Sequence, residues 1–466
     1  MRIVLLVFLG ALSASSANAA DWPTYRADAA RSGVTAENLT LPLQQSWVHQ
    51  PLHAPRPAWR GPAKRDPYNK VENLKNRQLF DHAFHVVVDG ESVYFGSSAD
   101  DQVHCLDGVT GKERWTFFTE GPVRLAPTLH GGNLFVGSDD GHAYCISTEG
   151  KLIWSKRLAP SDYRIAGNNR IISAWPVRTG ILVDDGVAYA GSGMFPSEKV
   201  HVLAFSATDG KELWRITQTD VPAQGYLLMS KIRLYVPAGR DNPVVLNRAD
   251  GERWIPIRAG GGGGKTWFSG GGGGGTEATL DGDTLVFGPG RKGQMFLVPG
   301  ETGDAFATFS GNHMIISAEK SYLHADKELS VLDRVRYLKL EGERKQVAAE
   351  RKSNGALLAK LRKQKSPDVP VVLEKVIAGG RRLDEISAAM KACFLWRVDC
   401  AQPHSLVLAG NTLFAGGNDE VAAYSTADGK QIWTGKVNGV ALGLAVAHGR
   451  VLVSTHKGTI HCFTTK

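Results

Sequence analysis

The chain has 466 residues, 42% hydrophobic and 21% charged, with 53 glycines and a formal net charge of +8. That balance excludes wholesale disorder and suits a turn-rich, strand-built protein. None of the five cysteines stands in a Cys-x-x-Cys-His stretch, so no c-type haem is expected.

Residues 1–19 read as a cleavable export signal. Arg2 precedes the apolar run Ile3 to Leu12, and Ala17-Asn18-Ala19 obeys the small-x-small rule for cleavage after Ala19, with Ala20 the alternative. The run is too short to cross a bilayer, and no later stretch reaches about 18 uninterrupted apolar residues. No cysteine stands near the cleavage site to carry a lipid anchor. The chain is therefore expected to be periplasmic or secreted, without a transmembrane segment. Residues 20–49 form an N-terminal segment ending on the strand-like Gln45-Ser46-Trp47-Val48-His49. Residues 50–83 form a basic, Pro-rich loop, whose Trp59 and Tyr68 suit either packing or a ligand platform.

A repeat occupies residues 84–338 and returns over 401–466. Its signature is Thr110-Gly111-Lys112-Glu113-Arg114-Trp115, and variants of it end at Trp154, Trp214 and Trp433, with a shortened copy at Trp254. Before each stands an apolar strand closing on small residues, such as Leu134-Phe135-Val136-Gly137-Ser138. One unit is four antiparallel strands, with glycine supplying the positive φ of the turns. Such units bury their faces only against neighbours, and the tryptophan is expected to wedge between them. Cys105, Cys145 and Cys462 recur at one strand position, where a buried thiol acts as a small hydrophobe. Seven turns between first and second strands are countable, and a degenerate unit over residues 312–336, lacking the tryptophan, makes eight. The last unit has no outer strand of its own, and the stretch around Trp47 is placed to supply it. The expectation is an all-β, eight-bladed propeller, with seven blades as the alternative, docked by Trp47, Trp115, Trp154, Trp214, Trp254 and Trp433.

The Thr-Gly-Lys-x-x-Trp unit resembles the tryptophan-docking repeat of the PQQ-binding-like propellers. That superfamily includes quinoprotein alcohol dehydrogenases and the propeller of the bacterial outer-membrane assembly machinery. Asp21-Trp22-Pro23-Thr24-Tyr25-Arg26 also resembles the opening segment of exported bacterial members. The resemblance covers most of residues 21–317 and 401–466, and it implies the fold more sharply than an activity. The dehydrogenases are known for adjacent cysteines beside the quinone, calcium ligands and an aspartate base. This chain has no adjacent cysteines, and no calcium ligands can be assigned to it. PQQ and calcium are accordingly not expected as cofactors.

Residues 339–400 break the strand rhythm. Two helices are expected, over about 338–361 and 371–392, separated by Ser366-Pro367-Asp368-Val369-Pro370. Residues 339–391 hold 13 Lys or Arg against 7 Asp or Glu, so most of the chain's excess charge is local to this insertion. It reads as a solvated helical hairpin or an arm docking an envelope or extracellular protein partner; export argues against nucleic acid. Cys393 and Cys400 lie outside the repeat, seven residues apart, and suit a local disulfide or free thiols.

The stretch Ala259 to Thr266, Ala-Gly-Gly-Gly-Gly-Gly-Lys-Thr, imitates a phosphate loop. Trp267-Phe268-Ser269 and six more glycines follow, so no helix can open there, and the run reads as a loop between repeats. His49, His53, His82 and His85 show no metal-ligand spacing. Aligning the repeats places Arg124 and Arg178 equivalently at the start of the inner strands, with Gln224, His85 and His404 at or near the same position. Converging Arg, Gln and His at the channel mouth suit a carboxylate, sulfate or sugar ligand, or else a wet structural network. The functional expectation is a non-catalytic binding or assembly scaffold. The alternative is a quinone-dependent or carbohydrate-active enzyme with its site in that funnel.

Overall fold

Glycine turns of the Thr-Gly-Lys kind join the third strand of a sheet to the fourth. The structure, a computed structural model, describes residues 20–465 apart from 59–64, 67–70, 73–77, 220–221, 240, 257–275 and 291–292. The export signal, Trp59, Tyr68 and the glycine-rich stretch lie outside the described residues.

Five sheets have four antiparallel strands in simple meander order. The first runs from Val86–Asp89 to Glu113–Phe118, the second from Thr128–His130 to Leu152–Arg157, and the third from Leu182–Asp184 to Glu212–Gln218. The fourth sheet is three-stranded, Leu228–Met229 to Asp241–Asn247, with one isolated bridge, Leu246 to Arg253, where a fourth strand would lie. The fifth spans Glu277–Asp281 to Ala307–Ser310 and the sixth His313–Ser317 to Phe394–Asp399. The seventh has eight strands in two halves. Gln431–Ala447, 17 residues long, is the last strand of one half and the first of the other. Gln44–His49 closes the second half by pairing antiparallel with Ile460–Thr464, which joins the two ends of the chain.

The tryptophans stitch these sheets together. Trp47, Trp115, Trp154, Trp214, Trp254 and Trp433 donate their indole N–H to the carbonyls of Gly108, Thr148, Ala207, Arg248, Gly300 and Leu43, at 2.9 to 3.0 Å. Each acceptor belongs to the next sheet round or, for Trp433, adjoins the other half of the seventh sheet. A ring this large fits only where the facing turn offers bare backbone. A Cβ on Gly150 (φ +82°) would stand 2.7 Å from the Trp115 ring, and glycine alone meets both demands. The recurrent cysteines have a matching reason. Cys105, Cys145 and Cys462 sit directly across the strand pair from Trp115, Trp154 and Trp47, where a small side chain leaves room for the indole.

Three expectations are corrected here. The helical insertion ends before residue 400. Helix α1 (Arg334–Lys363) and helix α2 (Val369–Lys391) fall between the third and fourth strands of the sixth sheet, and Phe394–Asp399 is that fourth strand. Its Trp396 donates to Thr426 O at 3.1 Å, so the unit read as lacking a tryptophan has one. Cys393 and Cys400 are both free and buried. The extended strand between them rises about 3.3 Å per residue, which holds their Cα atoms far beyond the roughly 7 Å a disulfide spans. Asp333 caps α1 by accepting from the Arg336 N–H at 3.0 Å, and Pro370 occupies the first turn of α2, where no N–H is missed.

The first strands of the sheets converge on the N-terminal segment. Trp22 exchanges two hydrogen bonds with Val88, Pro23 O accepts from Leu129, Ala29 O from Met229 and Ala30 O from Leu280. Gly33 O accepts from Leu408, and Val34–Thr35 adds a parallel strand to Ser405–Ala409. Residues 22–35 thus touch the first, second, fourth, fifth and seventh sheets. They fill the middle of the molecule.

Candidate functional site

Arg124 and Arg178 lie just before the first strands of the second and third sheets, and the fold brings them to one carboxylate. Asp139, in the turn after Asn133–Gly137, accepts from Arg124 Nε at 2.6 Å and from Arg178 Nε and Nη2 at 2.8 and 2.9 Å. A second carboxylate, Asp81, stands 3.1 Å from Arg124 Nη1. All four side chains are buried, Asp139 completely. Burial alone would raise the Asp139 carboxyl; Arg178 and Arg124 outweigh it and hold it below the ordinary range. Asp81 has the opposite balance, burial pushing its carboxyl up despite Arg124. The cluster is two guanidiniums against two carboxylates, closed to solvent, with its forks already occupied.

The other three residues aligned with the arginines disperse. The backbone of Gln224 bonds to Pro237 O, and the neighbouring Gly225 N–H donates to Arg178 O. His85 packs edge-on to Tyr25 at 4.9 Å, and burial lowers its pKa to about 4, so the imidazole is neutral. His404 bonds Asn418 Oδ1 at 3.0 Å, on the seventh sheet.

The middle is occupied by residues that were not read as site residues, Tyr25 and Arg26 of the opening segment among them. Tyr25 stacks on Tyr226 with ring centroids 3.7 Å apart, and the Arg31 guanidinium lies 5.1 Å from the Tyr25 ring. Arg31, 1% exposed, donates to the carbonyls of Tyr226 and Thr276, both at 2.8 Å. Arg26 pairs with Glu277 at 3.4 Å, and His313 stands equally close to that carboxylate. From the other side Phe80, fully buried, closes against Gly225, where an added Cβ would meet its ring at 2.4 Å. The cavity beside Tyr25, Arg26, His85 and Glu277 measures about 20 Å³. That is room for one water.

Among the described residues no group of three or more His, Cys, Asp or Glu could hold a metal ion, and no helix is long and apolar enough to cross a membrane. The buried Cys400 lies 3.4 Å from His324 Nε2, but burial raises the thiol and lowers the imidazole to about 3. Both stay neutral, which is a packing contact and not an activated nucleophile.

A family of PQQ-type repeats, described as outer membrane protein assembly factor BamB, matches residues 56–174 and 394–466. Among solved structures, the quinohemoprotein alcohol dehydrogenase of Comamonas testosteroni superposes with a TM-score of 0.57 at 14% identity, over 96% of this chain and 81% of that one. The chain shares that β-propeller fold. A second quinohemoprotein alcohol dehydrogenase, ADHIIG of Pseudomonas putida HK5, shares that fold at 13% identity and TM-score 0.57, over 95% and 80% of the two chains. The computationally designed Ika8 protein does so at 10% identity and TM-score 0.54, over 84% and 98%. No curated protein matches the chain in sequence. The middle of this propeller is filled by its own N-terminal segment and by Phe80.

Proposed function

We propose that the chain is an exported, non-catalytic binding or assembly scaffold, an eight-bladed propeller that meets a protein partner through its outer surface and helical arm. The six separate sheets and the two halves of the seventh supply the eight blades. Trp47, on Gly108, brings the last blade against the first. Export rests on the signal read in residues 1–19.

The observation that carries this reading is the self-neutralised cluster. A site for an anionic substrate or cofactor needs unpaired donors facing open space, whereas Arg124 and Arg178 face Asp139 and Asp81 in a closed interior. Among the described residues, those that fill the middle do not suit pyrroloquinoline quinone. Tyr25, Arg31, Tyr226 and Phe80 take up the space, and about 20 Å³ cannot admit a tricyclic quinone. A scaffold role also agrees with the assembly-factor description of the matching family.

Two measurements test it. Purified protein incubated with the quinone and calcium, then assayed by dye-coupled alcohol oxidation, should give no turnover; robust turnover refutes the scaffold reading. Cross-linking in the native envelope should trap a protein complex with the full chain and lose it when residues 335–391 are removed. Equal trapping without the arm would place the partner elsewhere and refute the role given to the helices.

A further inference from the structure

One seam of the propeller lacks its tryptophan. In the fifth sheet Ala307 pairs with Leu297, the register that sets Trp115 opposite Cys105 and Trp396 opposite Val331. Thr302-Gly303-Asp304-Ala305-Phe306-Ala307 keeps the spacing of the repeat, with alanine at the docking position. The facing turn is missing as well, since the sixth sheet carries α1 and α2 where other sheets carry the glycine turn. The indole site therefore has neither ring nor acceptor.

A cleft of about 450 Å³ lies there. Its floor is the segment Ala305 to Thr308, which leads into the strand Ala307–Ser310, and its walls are the roots of the helices. Phe306, Tyr337, Met390 and Phe394 give it aromatic and apolar sides. Three cations, Arg344, Lys345 and Lys391, face it against one carboxylate, Glu341. That carboxylate is already forked by Arg344 at 2.6 and 2.7 Å. Lys345 lies 4.8 Å from the Phe306 ring and spends one hydrogen bond on Ala305 O at 3.1 Å, leaving further N–H donors. The volume falls in the range of ligand pockets, about 300–1,000 Å³, and the mixture of flat apolar walls with a few convergent charges is their usual chemistry.

We propose that this cleft, between Phe306 of the fifth sheet and the roots of the two helices, binds a small aromatic carboxylate. The ring takes the place of the missing indole between Phe306, Tyr337 and Phe394, and the carboxylate accepts from Lys345 and Lys391. Because the floor belongs to the ring and the walls to the arm, an occupant ties the two together. This inference stands apart from the scaffold reading and does not rest on it.

The test uses the full chain and a fluorescent aromatic anion, anilinonaphthalene sulfonate, as reporter. One saturable site is expected, from which indole-3-acetate displaces the reporter at least about tenfold better than the cationic indole-3-ethylamine, the difference one charge-assisted hydrogen bond makes. Ala307→Trp, which refills the seam, should abolish the site. Lys345→Glu, on an exposed helix face, should weaken it by about tenfold or more while circular dichroism and the thermal midpoint stay unchanged. No saturable binding, equal displacement by the two indoles, or wild-type binding in Lys345→Glu would each overturn the proposal.

Discussion

Asp139→Asn is the sharpest probe of the central cluster. The substitution keeps the shape of the side chain and deletes one charge from between two guanidiniums that are 5% and 1% exposed. Arg178 then faces a neutral amide in place of the Asp139 carboxylate, while Arg124 keeps Asp81, 3.1 Å away, and the Arg56 carbonyl. Breaking a buried ion pair from one side costs about 3–5 kcal/mol, because the remaining charge is stranded out of water. Urea unfolding followed by tryptophan fluorescence should show the midpoint falling with an unchanged denaturant slope. The pH dependence has a definite sign. Asp139 is held below its unfolded value of about 3.9, so its contribution is complete above that pH and is lost as pH falls through the folded value. The gap between wild type and variant should therefore be full at neutral pH and shrink only in acid. If Arg124 and Arg178 were instead kept for a ligand, the variant would unfold like wild type and gain affinity for anions. A stability loss under about 1 kcal/mol would refute the argument made for the cluster.

The seams give further expectations. Trp396→Ala should destabilise as much as Trp115→Ala, about 3 kcal/mol each by chemical denaturation, at the low end for tryptophan because both rings are partly exposed. Gly150→Ala should cost more than about 1 kcal/mol in the same assay, since the new methyl meets a positive φ and the Trp115 ring together. Replacing residues 335–391 by a short glycine turn should leave the thermal transition cooperative, because the Asp333 N–H already donates to Cys393 O at 2.8 Å across the insertion's base. Burial disfavours the charged form of His104, but hydrogen bonds with Asp100 and Glu113 outweigh it and raise its pKa. Its contribution is complete below about pH 6.5 and lost as pH rises through the folded value, so His104→Gln should flatten the stability profile there.

How far the sequence could be read follows from what repeats. The turn glycines and Trp115, Trp154, Trp214 and Trp433 recur at fixed spacing, with Trp254 one residue short, so most of the sheets and their order were legible from them. Trp396 escaped because two helices separate Phe394–Asp399 from the strand it pairs with, and no Thr-Gly-Lys turn announces it. Alignment matched Arg124 with Arg178 but left their shared partner unseen. Asp139 belongs to the unit of one arginine and Asp81 to a different segment, and a repeat-by-repeat reading does not connect them. Trp22, Tyr25 and Arg26 were legible only as an opening motif, and Arg31 not at all. Their role depends on crossing five sheets far away in sequence, which no local period records.

The pairing of Gln44–His49 with Ile460–Thr464 has a consequence in time. A chain emerging from its N-terminus makes one edge of that pair first and its partner about 410 residues later, roughly twenty seconds or more at the usual pace of synthesis. For that interval both the early strand and residues 22–35 must be kept from wrong company. Trp47 offers a berth. Its acceptor, Gly108, belongs to the first sheet completed, so the waiting strand can be moored there before its own sheet exists. Residues 22–35, by contrast, find Met229, Leu280 and Leu408 one after another, and the middle of the molecule fills in the order in which the sheets are born.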